Sequence, residues 1–202
     1  PAIVHTLHGI VWSLETPRPR RDARALIERR AAWPTDLVLS QSTEDRDSFV
    51  RAGVIPAERI EVIGNGIDLG RFDPEALAPS VASGIRASLG VGNDELLALC
   101  PSRLVRIAVA GRRDPEKADA IDEATLSTGT RAGVLLLGER HDMPDLYAAS
   151  DVVVLPSWRE GMPRVLLEGA AMGKPLVASD IRGCREAVDA PRRGLLFPAR
   201  DG

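Results

Sequence analysis

The sequence predicts an α/β fold built on parallel sheets, and three observations carry that expectation. Its apolar runs are short, and several are apolar throughout instead of alternating, as strands covered on both faces are. These runs alternate with segments of helical spacing. A stretch from Asp73-Pro74 to Pro79, with two prolines and small residues, breaks the pattern near residue 75. It predicts two α/β units, residues 1–72 and residues 73–202, the first thin for an independent Rossmann-like domain.

Taken in order, Ile3-Val4 opens a short strand that ends in the polar turn His5-Thr6-Leu7-His8-Gly9. Arg20 to Arg30 is a helix, with Ala23, Leu26, Ile27 and Arg30 near one face. Leu37-Val38-Leu39 is the second strand, stopped by Ser40-Gln41-Ser42, after which Ser42 or Thr43 can cap a helix to about Ala52. Arg59 to Ile63 is the third strand, and Gly64-Asn65-Gly66 turns it. In the second unit Val81 to Leu89 is a short helix, and Leu96 to Cys100 a buried strand. Arg112 to Thr130 is polar, a loop with at most one helical piece. Strands follow at Val134–Leu137, Val152–Leu155, Leu176–Ala178 and Gly194–Phe197. Helices around Met143–Ala149, Arg164–Met172 and Arg182–Val188 separate them.

Composition narrows the function classes. Of the 202 residues, 44% are hydrophobic and 27% charged, which is globular and excludes a wholly disordered chain. A net charge of -3, from 26 basic and 29 acidic side chains, argues against nucleic acid as a partner. Two cysteines, Cys100 and Cys184, cannot build a disulfide framework and read as reduced, buried thiols of an intracellular protein. No apolar run reaches the ~18 residues that span a membrane. The chain opens on Pro1 and not Met, so the absence of a signal-peptide pattern carries no weight. Between Arg18 and Arg30 stand six arginines against Asp22 and Glu28. They form either a solvated helix face or a surface for anionic lipid or a phosphate-linked acceptor.

The most informative segment runs from Pro156 to Asp180, PSWREGMPRVLLEGAAMGKPLVASD. A strand leads into a glycine-bearing loop, and the loop opens a helix. Ligands of parallel sheets bind at the carboxyl ends of strands, and free N–H groups at a helix start can hold a phosphate. Gly161 has no side chain, so its backbone can approach an anion. Glu160 is either a ligand contact or a charge favourable to the helix dipole. Glu168 stands among Val165, Leu166, Leu167, Ala170 and Ala171. It either pairs with Arg164 one turn back or accepts hydrogen bonds from a sugar diol. His8 follows a strand, where catalytic residues of α/β folds stand, or is a plain turn residue. Arg103 follows another strand and can reach a phosphate. His141, beside Asp142 and Asp145, lacks the spacing of a metal site. No dinucleotide glycine motif, Walker motif, serine nucleophile elbow or Asp-x-Asp motif is present.

His5-Thr6-Leu7-His8-Gly9, Ser40-Gln41-Ser42, Asn65-Gly66-Ile67-Asp68, Arg103-Leu104 and the two-glutamate stretch EGMPRVLLE stand in that order along the chain. In this combination the chain resembles the retaining glycosyltransferases of family four, whose GT-B fold has two Rossmann-like domains with a cleft between them. It looks most like the bacterial enzymes of polysaccharide biosynthesis. The resemblance implies a nucleotide-diphosphate sugar as donor and a hydroxyl of a glycan or lipid-linked acceptor. It implies no tightly bound cofactor and no metal. Glu168 would accept from the ribose hydroxyls, Glu160 would lie by the transferred sugar, and the Gly161 and Met162 N–H groups would touch sugar or diphosphate. Arg103 would neutralise the leaving diphosphate, and His8 would face the sugar. A cytoplasmic place is implied, with peripheral contact at the inner face of the cell membrane through Arg18–Arg30.

The chain also departs from the family pattern. The first strands of the first domain and a phosphate-binding lysine soon after the Arg103 motif have no counterpart. Arg106 leads straight to Ile107-Ala108-Val109-Ala110-Gly111, as if a helix and most of a strand were deleted. Lys117, in a polar stretch, does not take the missing role. Exposed apolar surface is expected around Leu104 and Val134. These losses predict that the 202-residue chain by itself is inactive. The alternatives are a non-catalytic sugar-nucleotide- or partner-binding module, and a sugar-nucleotide epimerase of the same fold.

Overall fold

The structure is a computed structural model and describes residues 2–10, 12, 17–92, 94–99, 107–110, 123–131 and 134–199. Two compact units are present. The first comprises Pro1–Gly66, Arg159–Arg164 and Ile181–Ala187, and the second Ile67–Trp158, Val165–Asp180 and Val188–Gly202.

The first unit holds three parallel strands in the order β1-β2-β3: β1 is Val4–Leu7, β2 Leu37–Ser40 and β3 Ile60–Val62. Helix α1, Arg18–Ala32, links β1 to β2, and α2, Thr43–Arg51, leads from β2 towards β3. The capping expectation holds at α2. The Ser42 side chain accepts from the Asp45 N–H, and Glu44 and Asp45 in the first turn suit the positive end of the dipole. The core gathers Leu7, Ile10, Trp12, Val38, Phe49, Val54, Ile55 and Ile60. Within it the rings of Trp12 and Phe49 stack at 6.1 Å. Each such buried ring contributes about 1.5–3 kcal/mol by removal from water. Helix α1 differs from its expected facing. Ala25 and Ala32, two turns apart, pack against the core, while Leu26 and Ile27 are exposed. Neighbours in helix sequence stand about 100° apart around the axis, so a face chosen by Ala25 and Ala32 turns Leu26 and Ile27 outward.

The second unit carries a parallel sheet of six described strands in the order β6-β5-β4-β7-β8-β9. These are β4 Ala98–Leu99, β5 Ile107–Ala110, β6 Leu135–Gly138, β7 Val152–Leu155, β8 Leu176–Ser179 and β9 Gly194–Phe197. In sequence rank the order is 3-2-1-4-5-6, the doubly wound Rossmann arrangement, which reverses between β4 and β7. Helices α3 Pro79–Ser88, α4 Glu123–Arg131, α5 Met143–Ala149 and α6 Arg164–Ala171 complete this unit, while α7, Cys184–Val188, lies in the first unit but for its last residue. Val153, Leu166, Leu176 and Ala178 are wholly buried. Gly169 lets α6 lie close to the sheet: a Cβ there would stand 3.0 Å from Val153 Cγ2 and 3.1 Å from Leu176 Cδ2. Asp151 joins α3 to the sheet by accepting from Arg86 Nη1 at 3.0 Å and the Leu97 N–H at 2.8 Å.

The strand Ile107–Ala110 is intact and paired on both sides, with β4 and with β6. Residues 100–106, which connect it to β4, lie outside the described residues, as do Leu104, Arg106 and Lys117. Val134 itself is buried, where β6 pairs with β5 and Val134 packs on Gly129 of α4. The apolar surface expected around it is exposed at Leu136, on the outermost described strand of the order.

Candidate functional site

In the first unit three chain segments meet through glycines. Gly9 follows β1 at φ +124°, in the region that favours glycine. A Cβ on Gly161 would stand 2.4 Å from the His8 carbonyl oxygen, and one on Gly183 would stand 1.5 Å from the Gly161 carbonyl oxygen. The backbones of His8-Gly9, Glu160-Gly161 and Gly183 therefore touch directly, and no side chain could come between them. Asn65 adds a fourth segment: its Nδ2 donates to the Met162 carbonyl oxygen at 2.8 Å. Of the predicted residues, His8, Glu160, Gly161 and Met162 are thus brought together. The His8 side chain is exposed, and Glu160 and Met162 are half-buried.

Polar contacts fasten Ile181–Ala187 in place. The Glu186 carboxylate caps α2, accepting from Ser42 Oγ at 2.9 Å and from the N–H groups of Thr43 and Glu44 at 3.2 and 2.9 Å. Arg182 donates through Nη2 to the Trp12 carbonyl at 2.6 Å, and its Nη1 lies 3.4 Å from Asp45 Oδ1. Arg185 pairs with Glu44 at 3.0 Å. The same segment carries Cys184, a free and fully buried cysteine. Burial, then the Glu160 charge, pushes its thiol up to about 12, so it is an inert packing group and no nucleophile. Cys100 lies outside the described residues.

Asp45 makes a testable pH signature. Its carboxyl is 2% exposed, and burial pushes it up to about 6 against the opposing pull of Arg182. The folded state therefore holds a proton that the unfolded chain, at 3.8, has already lost. Stability from this group is present below pH 4 and falls as the pH rises towards 6, by about 3 kcal/mol at most. Asp142 and Asp151 are held below the ordinary carboxylate value and act below that window. Melting temperatures from pH 4 to 7 should fall more steeply in the parent than in Asp45→Asn. Parallel curves would contradict the assignment.

In the second unit Glu168 lies half-buried on α6, and Tyr147 on α5 donates to its Oε2 at 3.0 Å. Tyr147 is fully buried. Burial first, then the charge of Glu168 and the bond it accepts, hold the phenol above its ordinary value. Arg103 lies outside the described residues. His141 is exposed, and its carbonyl accepts from Arg71 at 2.7 Å. Among the described residues no group of His, Cys, Asp and Glu could hold a metal ion, and no helix is long and apolar enough to cross a membrane.

Sequence reasoning missed Gly183, Glu186, Asn65 as an anchor of the Gly161 loop, and Tyr147. Ser42 was the one local signal for Glu186, as a helix cap with N–H groups left to satisfy. Nothing in the spacing marks Gly183 or Tyr147, because each is defined by a partner far away in sequence.

Comparison with known proteins adds three findings. Residues 94–202 match the family described as Glycosyl transferases group 1, and residues 1–71 match Glycosyltransferase Family 4. A D-inositol 3-phosphate glycosyltransferase of Rhodococcus opacus is 30% identical over 230 residues, covering 96% of this chain and 50% of the relative. A UDP-Gal:alpha-D-GlcNAc-diphosphoundecaprenol alpha-1,3-galactosyltransferase of Escherichia coli is 27% identical, covering 100% of this chain and 57% of the relative. Among solved structures, Anabaena HepE in complex with UDP superposes with a TM-score of 0.79 at 28% identity, covering 98% of this chain and 58% of that one. The chain spans about half the length of the curated relatives it matches. The Rhodococcus alignment runs over 230 residues, more than the 202 of this chain, so that relative carries residues inside the matched region that this chain lacks.

Proposed function

Because the chain belongs to the glycosyl transferases group 1 family and has the parallel-sheet α/β fold of GT-B glycosyltransferases, we propose that it serves a retaining transferase moving a sugar from a nucleotide-diphosphate sugar to a hydroxyl of a glycan or lipid-linked acceptor. The observation that carries the reading is the seating of Gly161 against the His8 carbonyl. It joins two motifs some 150 residues apart in the chain, and it leaves the Gly161 and Met162 N–H groups on a loop fixed by Asn65.

In this reading the costly event is departure of the nucleotide diphosphate. Prefixed N–H donors at Gly161 and Met162, with the Arg103 guanidinium, stabilise the charge that develops on its oxygens. Glu168 takes the ribose diol, which holds the donor in register. Glu160 lies by the transferred sugar and His8 faces it, so that the acceptor hydroxyl is met in a set geometry. The chemistry needs no metal and no tightly bound cofactor. The relatives support the classes of substrate by their names: UDP in HepE, a UDP-galactose donor and a diphosphoundecaprenol acceptor in the Escherichia coli enzyme, and inositol phosphate in the Rhodococcus one. The arginines of α1, beside the exposed Leu26 and Ile27, fit a peripheral contact with an anionic membrane surface.

Calorimetric titration of the chain with UDP, UMP and uridine tests the donor side. UDP is expected to bind about tenfold or more tightly than UMP, since the second phosphate brings charge-assisted bonds. Equal affinity for UDP and UMP, or no binding of UDP, would contradict the reading.

A further inference from the structure

We propose that Tyr147 is a positioning residue for nucleotide recognition: its buried hydroxyl sets the carboxylate of Glu168 in the orientation that accepts a ribose diol. The inference rests on the ribose reading of Glu168 and adds the group that makes that carboxylate ready.

The phenol has one proton and two acceptors within reach, Glu168 Oε2 at 3.0 Å and the Val165 carbonyl at 3.4 Å. A charged acceptor at the shorter distance takes it. A buried tyrosine needs a single partner, and a backbone carbonyl would do. Here the nearer partner is the half-buried carboxylate of a flexible side chain, on a helix that otherwise buries Leu166 and Gly169.

The tyrosine itself cannot swing. It is fully buried, on a helix whose Pro144, Leu146 and Ala149 are buried as well. The ring of Phe72, 4% exposed, meets its ring edge-on at 6.0 Å and 66°. The Arg71 guanidinium lies over the Phe72 ring at 5.4 Å and is tied to the His141 carbonyl, just ahead of α5. A rigid donor therefore holds one oxygen of Glu168 and narrows the orientations open to the carboxylate. Narrowing them before the ligand arrives removes side-chain entropy that binding would otherwise have to overcome.

The test compares UDP with its 2′,3′-dideoxy analogue, which lacks the diol, on the parent chain, Tyr147→Phe and Glu168→Ala. The parent should prefer UDP by about tenfold or more. Tyr147→Phe should keep its affinity for the dideoxy analogue within about twofold and lose about three- to tenfold for UDP. Glu168→Ala should show no preference. Equal losses for both nucleotides in Tyr147→Phe would mean a merely structural role, and parent-like binding of both would mean none; either overturns the proposal. If Glu168→Ala kept the preference for UDP, the ribose reading would fall first and this inference with it.

Discussion

Gly183→Ala should be the most damaging single methyl in the first unit. The position has φ +72°, which costs an L-residue about 1–2 kcal/mol by itself. The larger cost is spatial. The new Cβ would stand 1.5 Å from the Gly161 carbonyl oxygen and 2.6 Å from its carbon. Both are backbone atoms, so no rotamer change relieves the overlap. Either Ile181–Ala187 pulls off Ser42, Glu44, Asp45 and Trp12, or the Glu160–Met162 loop leaves the His8 carbonyl. The first route abandons the α2 cap and the Arg182 contacts, and the second displaces the N–H groups assigned to the diphosphate. A loss of more than about 4 kcal/mol in stability, or loss of nucleotide binding in what remains folded, is expected. Gly53→Ala is the control. It shares the positive φ, at +64°, and a Cβ there meets nothing within 4 Å, so it should cost only about 1 kcal/mol. Denaturant titration of both variants separates strain from collision, and equal losses would remove the glycine junction from the account.

Much of the fold is legible in the sequence for a plain reason. The strands Val152–Leu155 and Leu176–Ser179 are buried or half-buried at every position, so Val152–Leu155 and Leu176–Ala178 are apolar without alternation. Ser42 and Gly53 bound α2 with chemistry that acts over a few residues. The orientation of α1 was not legible. Its six arginines and its apolar Leu26-Ile27 pair suggest a face, but the contact that decides is made by the small Ala25 and Ala32. Periodicity weighs large apolar residues most, and here they are the exposed ones.

The candidate site divides along the same line. Its motifs could be found because each is a short string, but their juxtaposition could not. Gly161 reads as a residue that lets backbone approach a ligand, while its missing Cβ is also what lets it rest on the His8 carbonyl. Glu168 reads as a charge on an apolar helix that either pairs with Arg164 or meets a ligand. Tyr147, a donor to it twenty-one positions back on another helix, is named by no local pattern.

The second large effect is at Glu168, and it is the most direct test of the central claim that this chain holds the ribose of a nucleotide donor. On that claim Glu168→Ala removes the acceptor of two charge-assisted hydrogen bonds from the diol, each worth about 1.5–3 kcal/mol. It also leaves the buried Tyr147 hydroxyl only the Val165 carbonyl at 3.4 Å. Glu160 is proposed to meet the transferred sugar, which bare UDP lacks. Calorimetric titration of UDP into the parent, Glu168→Ala and Glu160→Ala chains, each first shown to be folded, distinguishes the two carboxylates. The account predicts that Glu168→Ala loses UDP affinity by about two orders of magnitude or more, while Glu160→Ala stays within about threefold of the parent. A folded Glu168→Ala chain that binds UDP as tightly as the parent would contradict it.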